Sequence, residues 1–133
     1  MIKLIGMMDS PYVRRVAVSL ELYGVAFESQ PLSVFSTFEE FSRINPAVKA
    51  PTLVLENGTR LMDSSLILNY FEAQADPERR LLPVAPDAQA NDLQTLGFIL
   101  AAAEKAVQNV YEHNLRPVEK QHVSWVERIT IQL

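Results

Sequence analysis

"PTLVLENGTRLMDSSLILNYFE", residues 51–72, is the most sharply punctuated stretch of the chain. Two short runs rich in β-forming residues flank Asn57-Gly58, the pair that best tolerates the positive φ angles of a tight hairpin turn. The apolar period then lengthens from two residues to three or four, and Leu66, Ile67, Tyr70 and Phe71 share one helical face. Asp63-Ser64-Ser65 stands in front of that face, with short side chains that accept from the free N–H groups of a helix start. Residues 51–72 therefore read as strand, turn, strand, helix.

Upstream, residues 2–6 form a short apolar run that reads as a buried strand. Ser10 then offers an N-cap and Pro11 a first helical residue that loses no hydrogen bond. Val13, Val16, Ala17 and Leu20 follow at helical spacing, and Gly24 supplies the stop. "VAFESQPLS" (25–33) reads as a second strand whose end Pro31 pushes to a sheet edge. Thr37 and Glu40 have the spacing of a capping box and open a short helix that Asn45-Pro46 closes. The order is βαβ, α, ββα, which predicts an α/β domain on a mixed four-stranded sheet.

Beyond it the composition changes. Residues 78–87 carry prolines and charges and read as a linker between a first domain, 1–77, and an all-α segment, 88–133. Asp87 or Asn91 is placed to cap a long helix with Leu93, Leu96, Leu100, Ala103, Val107 and Val110 on one face. Pro117 breaks that helix, and a second begins near Val118 with His122, Trp125, Val126 and Ile129 on one side. Two helices cannot cover both apolar faces, so this second domain is expected to be incomplete.

Composition removes several function classes. The 133 residues include no cysteine, which excludes disulfides, thiolate metal sites and a protein thiol as nucleophile. Net charge is −4, and the arginines Arg14, Arg15, Arg79 and Arg80 fall in two short pairs, so no broad basic surface for nucleic acid is expected. No apolar run has the length of a membrane span, and residues 1–11 lack a secretory pattern, so a cytoplasmic location is expected. His113 and His122 have no acidic partner at metal-ligand spacing, and no metal is expected.

Three loops converge if the sheet is built as read: Ser10-Pro11, Ala50-Pro51 and Asp63-Ser64. A cis proline at 51 would turn the Ala50 backbone outward as a peptide-binding edge. Ser64, at a helix N-terminus, suits a carboxylate, and Asp63 beside it suits an ammonium group. An anion site next to a cation site matches the α-amino-acid end of a small peptide.

"SPYVRRVAVSL", "NPAVKAPTLVLENG" and "LMDSSLILNYFE" together resemble the thioredoxin-like N-terminal domain of the cytosolic glutathione S-transferases, in the serine-type form common in bacteria. The resemblance covers residues 1–80, and the linker and long helix fit the family's helical second domain. It implies a transferase that activates the glutathione thiolate for conjugation to hydrophobic electrophiles, with glutathione as co-substrate and a homodimer as the assembly. It implies that Ser10 donates to the sulfur, with Tyr12 the alternative donor. Ala50-Pro51 would pair with the cysteinyl unit, Asp63-Ser64 would hold the γ-glutamyl end, and Lys49 would reach the glycine carboxylate. The competing expectation is a truncated or non-catalytic glutathione-binding module on the same fold. Relatives with cysteine in place of Ser10 perform redox chemistry, a branch this cysteine-free chain disfavours.

Overall fold

The computed structural model describes residues 1–133 as two compact units, residues 1–82 and 83–133. In the first, β1 (Ile2–Ile5), α1 (Pro11–Tyr23), β2 (Phe27–Gln30), α2 (Phe38–Ile44), β3 (Thr52–Val54), β4 (Arg60–Met62) and α3 (Ser64–Glu72) follow in that order. The sheet order is β2-β1-β3-β4, with β1 parallel to β2 and antiparallel to β3, and β3 antiparallel to β4. This is the mixed sheet the sequence predicts. β2 lies at an edge, where Pro31 just beyond it interrupts no inner ladder.

α1 forms where the local chemistry asks for it. Ser10 has extended backbone and its Oγ accepts from the Val13 N–H at 3.4 Å, Pro11 opens the helix, and Gly24 ends it at φ 75°. Val13, Val16, Ala17, Leu20 and Tyr23 are buried, and they meet Ile67, Leu68 and Phe71 of α3 together with Leu4 and Leu53. Leu4 and Leu53 are direct cross-strand partners, so the two central strands send one leucine each into the same cluster. Alternation sends Ile5 to the opposite face, where it is equally buried; Phe41 is the buried residue of α2.

Gly6 shows how closely these pieces approach. It has φ 141°, and a Cβ built on it would lie 2.6 Å from Val13 Cγ2 and 3.2 Å from the Ala50 Cβ. Gly6→Ala is therefore expected to cost about 2 kcal/mol through overpacking and the unfavourable φ, read as a lower urea midpoint at unchanged slope.

The far end of α1 is tied to α3 and to the segment after it. Tyr23 donates its hydroxyl to Glu72 Oε2 at 2.7 Å, and the same carboxylate accepts from the backbone N–H groups of Leu81 and Leu82 at 3.0 and 3.1 Å. Burial pushes the Glu72 carboxyl up, but these donors and the nearby Arg80 charge outweigh it and hold the group below its ordinary range. Burial, reinforced by Glu72, raises the Tyr23 phenol. A carboxyl depressed in the folded state stabilises the fold above its unfolded pKa, and that contribution is lost as pH falls through the folded value. Glu72→Gln is thus expected to lose about 1–2 kcal/mol at pH 7. The gap to the parent chain should narrow below about pH 4, as followed by thermal melts across pH.

Four local features differ from the sequence reading. Thr37 makes no capping bond to α2; its hydroxyl accepts from the Ser33 N–H at 2.7 Å and donates to the Ser33 carbonyl, closing the loop before the helix instead. The hairpin uses a wider connection than two residues. Gly58, at φ 84°, closes a turn onto the Leu55 carbonyl, and Leu55 N–H reaches the Thr59 carbonyl. The second unit's long helix, α4 (Pro86–Leu115), starts behind Ala85 without a side-chain cap, because Pro86 presets the first turn ahead of Asp87. Residues 118–120 are a 3₁₀ turn, and α5 (Val123–Ile131) begins later, with His122 as its N-cap. α4 packs against α5, and of α5 only Ile129 is buried. No helix is long and apolar enough to cross a membrane.

Candidate functional site

One transverse row of the sheet organises the site. Ile5 pairs with Thr52, and Thr52 pairs with Met62. The chain leaves β1 just after Ile5, enters β3 just before Thr52 and leaves β4 just after Met62. Gly6–Ser10, Lys49-Ala50-Pro51 and Asp63-Ser64 therefore all border the same edge. This is the convergence the sequence predicts, and antiparallel pairing of β3 with both neighbours produces it.

Each loop is shaped by its own side chains. The Ala50-Pro51 bond is cis, and Val48 has φ 45°, a conformation rare for a β-branched residue. Asn45, only 1 % exposed, holds this loop from beneath. Its Nδ2 donates to Thr52 Oγ1 at 2.8 Å and lies 3.6 Å from Met62 Sδ, while its Oδ1 accepts from the Ala47 N–H at 3.0 Å. The Thr52 hydroxyl in turn donates to the Lys49 carbonyl at 2.6 Å.

Asp63 sits at φ 71° and caps α3, its Oδ1 accepting from the Ser65 N–H at 2.9 Å. Its Oδ2 lies 4.0 Å from Lys49 Nζ, so the lysine and the aspartate face each other across the loops. Both are half exposed, and the pair contributes little to stability. Ser64, 6 % exposed, begins the helix.

Arg15 joins α1 to this corner. Its Nη1 donates to Ser64 Oγ at 2.9 Å and to Ser65 Oγ at 3.0 Å. Burial pulls the guanidinium down from its ordinary range, the Asp63 charge works against that, and the group stays cationic at neutral pH. Ser10 stands five residues earlier at the start of the same helix, and Tyr12 is half-buried in its first turn. Met7 and Met8 are exposed on the loop before Ser10, and the Met8 carbonyl accepts from Arg14 Nε at 3.0 Å.

Sequence reading missed Arg15 and Asn45. Arg14 and Arg15 look alike in the sequence, and only the helical phase separates them: Arg14 is exposed, whereas Arg15 flanks the buried stripe. Asn45 reads as a helix terminator, and its role under the loop depends on Thr52 and Met62, which the sheet brings to it. His113 and His122 converge on no metal-binding group.

The family model for the glutathione S-transferase N-terminal domain matches residues 4–79. The chain belongs to the glutathione S-transferase family. Among curated relatives it is 29% identical over 128 residues to the uncharacterized GST-like protein YibF of Escherichia coli (strain K12), an alignment covering 89% of this chain and 63% of that protein. It is 31% identical over 115 residues to glutathione S-transferase U1 of Arabidopsis thaliana, covering 78% and 51%. A glutathione transferase family member from Pseudomonas fluorescens Pf-5, solved with bound glutathione, superposes with a TM-score of 0.84 at 30% identity, over 99% of this chain and 66% of that one. A glutathione S-transferase from Methylobacterium radiotolerans, solved with glutathione sulfonate, gives 0.88 at 27% identity, over 98% and 61%. The chain thus spans roughly half to two thirds of the length of these glutathione S-transferase relatives.

Proposed function

We propose that this chain binds glutathione at the shared edge of β1, β3 and β4 and activates its thiol for attack on hydrophobic electrophiles. The observation that supports the reading is the Ile5–Thr52–Met62 row, which ends β1, begins β3 and ends β4 at one sheet edge, so that the segments carrying Ser10, Ala50-Pro51 and Asp63-Ser64 all start from that edge. The γ-glutamyl carboxylate is received by Ser64 at the positive end of α3, and its ammonium group by Asp63. Arg15 orients the Ser64 and Ser65 hydroxyls and adds positive charge where the carboxylate docks. The Ala50 backbone pairs with the cysteinyl unit, and Lys49 turns from Asp63 to the glycine carboxylate.

Ser10 completes the chemistry. Its Oγ uses a lone pair to accept from Val13, which leaves the hydroxyl proton to donate to sulfur. A thiol near pKa 8.5 is mostly protonated at neutral pH, and lowering it by about two units takes about 2.7 kcal/mol. One charge-assisted hydrogen bond of roughly 1.5–3 kcal/mol, helped by the α1 dipole, covers that. The thiol releases its proton to solvent water; the thiolate then attacks the electrophilic carbon, the carbon–leaving-group bond breaks, and the leaving group departs with the electron pair. Tyr12 is the alternative donor, on the same first turn.

The test is calorimetric titration with glutathione, followed on the same sample by conjugation to an aryl halide. Binding with turnover is expected. Binding without turnover would favour the non-catalytic module, which the exposed apolar side chains of α4, Leu93, Phe98, Ile99 and Val110 among them, make the specific rival. Absence of binding would remove both readings. The same reading carries a homodimer, which light scattering checks, and a cytoplasmic location.

A further inference from the structure

The tip of the β3–β4 hairpin carries chemistry that the glutathione site does not use. Asn57-Gly58 is the only asparagine–glycine pair in the chain, and both residues are exposed. We propose that Asn57 is a site of spontaneous deamidation through a cyclic imide, with water as the only co-reactant and an isoaspartyl link among the products.

The turn presents the reacting groups together. Asn57 Oδ1 accepts from the Thr59 N–H at 3.0 Å, which holds the side chain against the backbone that follows it and draws electron density from the side-chain carbonyl carbon. Nδ2, the leaving nitrogen, is bonded to no other group. Gly58 has no side chain to shield its amide nitrogen, and even a Cβ built on it would meet nothing within 4 Å. One contact opposes the reaction. The Gly58 N–H donates to the Leu55 carbonyl at 2.9 Å, so that single turn bond must open first. At an exposed hairpin tip such an opening costs little.

The step balances without oxidant or reductant. The Gly58 amide proton passes to hydroxide, and the nitrogen attacks Asn57 Cγ. The Cγ–Nδ2 bond breaks, its electron pair stays on nitrogen, and that nitrogen takes a proton from water and leaves as ammonia. The imide then adds one water at either carbonyl. One opening gives an ordinary aspartyl residue, and the other leaves the chain linked through the side-chain carbon.

The surroundings single out this asparagine. Asn45 is 1 % exposed and precedes Pro46, which has no N–H to lose. Asn69 lies in α3, and Asn91, Asn109 and Asn114 lie in α4, where helical hydrogen bonds hold the next N–H and the next residue carries a side chain. At Asn57 both products add a negative charge beside Glu56, whose Oε1 receives the Met1 ammonium at 3.1 Å. The isoaspartyl form also adds a methylene to the turn backbone and disturbs the bond from the Leu55 N–H to the Thr59 carbonyl.

The full chain is incubated in mildly alkaline buffer beside a synthetic peptide of residues 50–60. Trypsin, cutting after Lys49 and Arg60, releases that same fragment from the chain with Asn57 as its sole asparagine. Mass spectrometry reads the exchange of NH for O, and methyl transfer from S-adenosylmethionine by an isoaspartyl-specific methyltransferase reads the rearranged link. The folded chain is expected to react about fivefold slower than the peptide, the cost of opening one hydrogen bond. A rate within about tenfold of the peptide supports the site, whereas a slower one shows that the turn holds Gly58 shut and overturns it. Mass gain without methyl transfer, reaction of this fragment in Asn57→Gln, or faster reaction at any other asparagine would overturn it as well. No glutathione is present, so the result stands apart from the glutathione reading.

Discussion

With Ser10 replaced by alanine, the thiolate fraction of bound glutathione at pH 7 is expected to fall about twentyfold. The size takes the Ser10 hydroxyl as the source of the whole two-unit shift; any share supplied by the α1 dipole stays in the variant and makes the fall smaller. A sulfur of pKa about 6.5 is roughly three-quarters ionised at pH 7, whereas one of pKa about 8.5 is about 3% ionised. The thiolate absorbance of the bound tripeptide, titrated against pH, measures this directly. Conjugation should fall less, by several-fold, because the more basic thiolate is the better nucleophile. It should recover toward the parent rate near pH 9, where both forms are largely ionised. A rate that falls equally at every pH would point to misplacement of the sulfur, and an unchanged titration would move the donor to Tyr12. Alanine also removes the α1 cap, a contact already long at 3.4 Å, at a cost of about 1 kcal/mol. Thermal melts separate that loss from the chemistry.

Asn45→Ala is expected to destabilise the first unit by about 3 kcal/mol and to weaken glutathione binding about tenfold. The side chain is buried and bonded at both ends, so its loss leaves the Ala47 N–H without a partner and opens a cavity beneath Thr52 and Met62. The exposed Ala47 N–H can turn to water, so the lost bond to the buried Thr52 hydroxyl accounts for about 1–3 kcal/mol and the cavity for the remainder. Binding suffers because Asn45 and Thr52 fix both ends of the loop that carries Lys49, Ala50 and Pro51. A flexible loop must be ordered before it can offer the Ala50 backbone, and that ordering is taken from the binding energy. Urea unfolding and calorimetry on one preparation test the two effects together. Lower stability with unchanged affinity would mean that β3 pairing alone holds the loop.

The first-unit elements were legible because local signals and burial agree there. Ser10-Pro11 and Gly24 punctuate α1, its stripe of Val13, Val16, Ala17 and Leu20 is the buried face, and Asp63 caps α3 as read. The misreadings fall where one local rule competed with another. Thr37 had the spacing of a capping box, but its hydroxyl found a nearer partner in Ser33. Asp87 and Asn91 were good caps in the wrong place, because Pro86 had already begun the helix. His122 looked like part of an apolar face and instead caps α5 with a ring nitrogen.

By itself the sequence determined the order of elements, the sheet that order implies and the three loops that carry Ser10, Ala50-Pro51 and Asp63-Ser64. Those features depend on periodicity and on residues within about four positions of one another, which a chain displays directly. Only the tertiary structure decided that Arg15, rather than Arg14, reaches Ser64 and Ser65 across 49 and 50 residues, and that Asn45 supports the loop through Thr52 and Met62. Such bonds exist because packing two helices on one sheet brings distant polar groups within hydrogen-bonding reach, and no local pattern announces which of several similar side chains will be there.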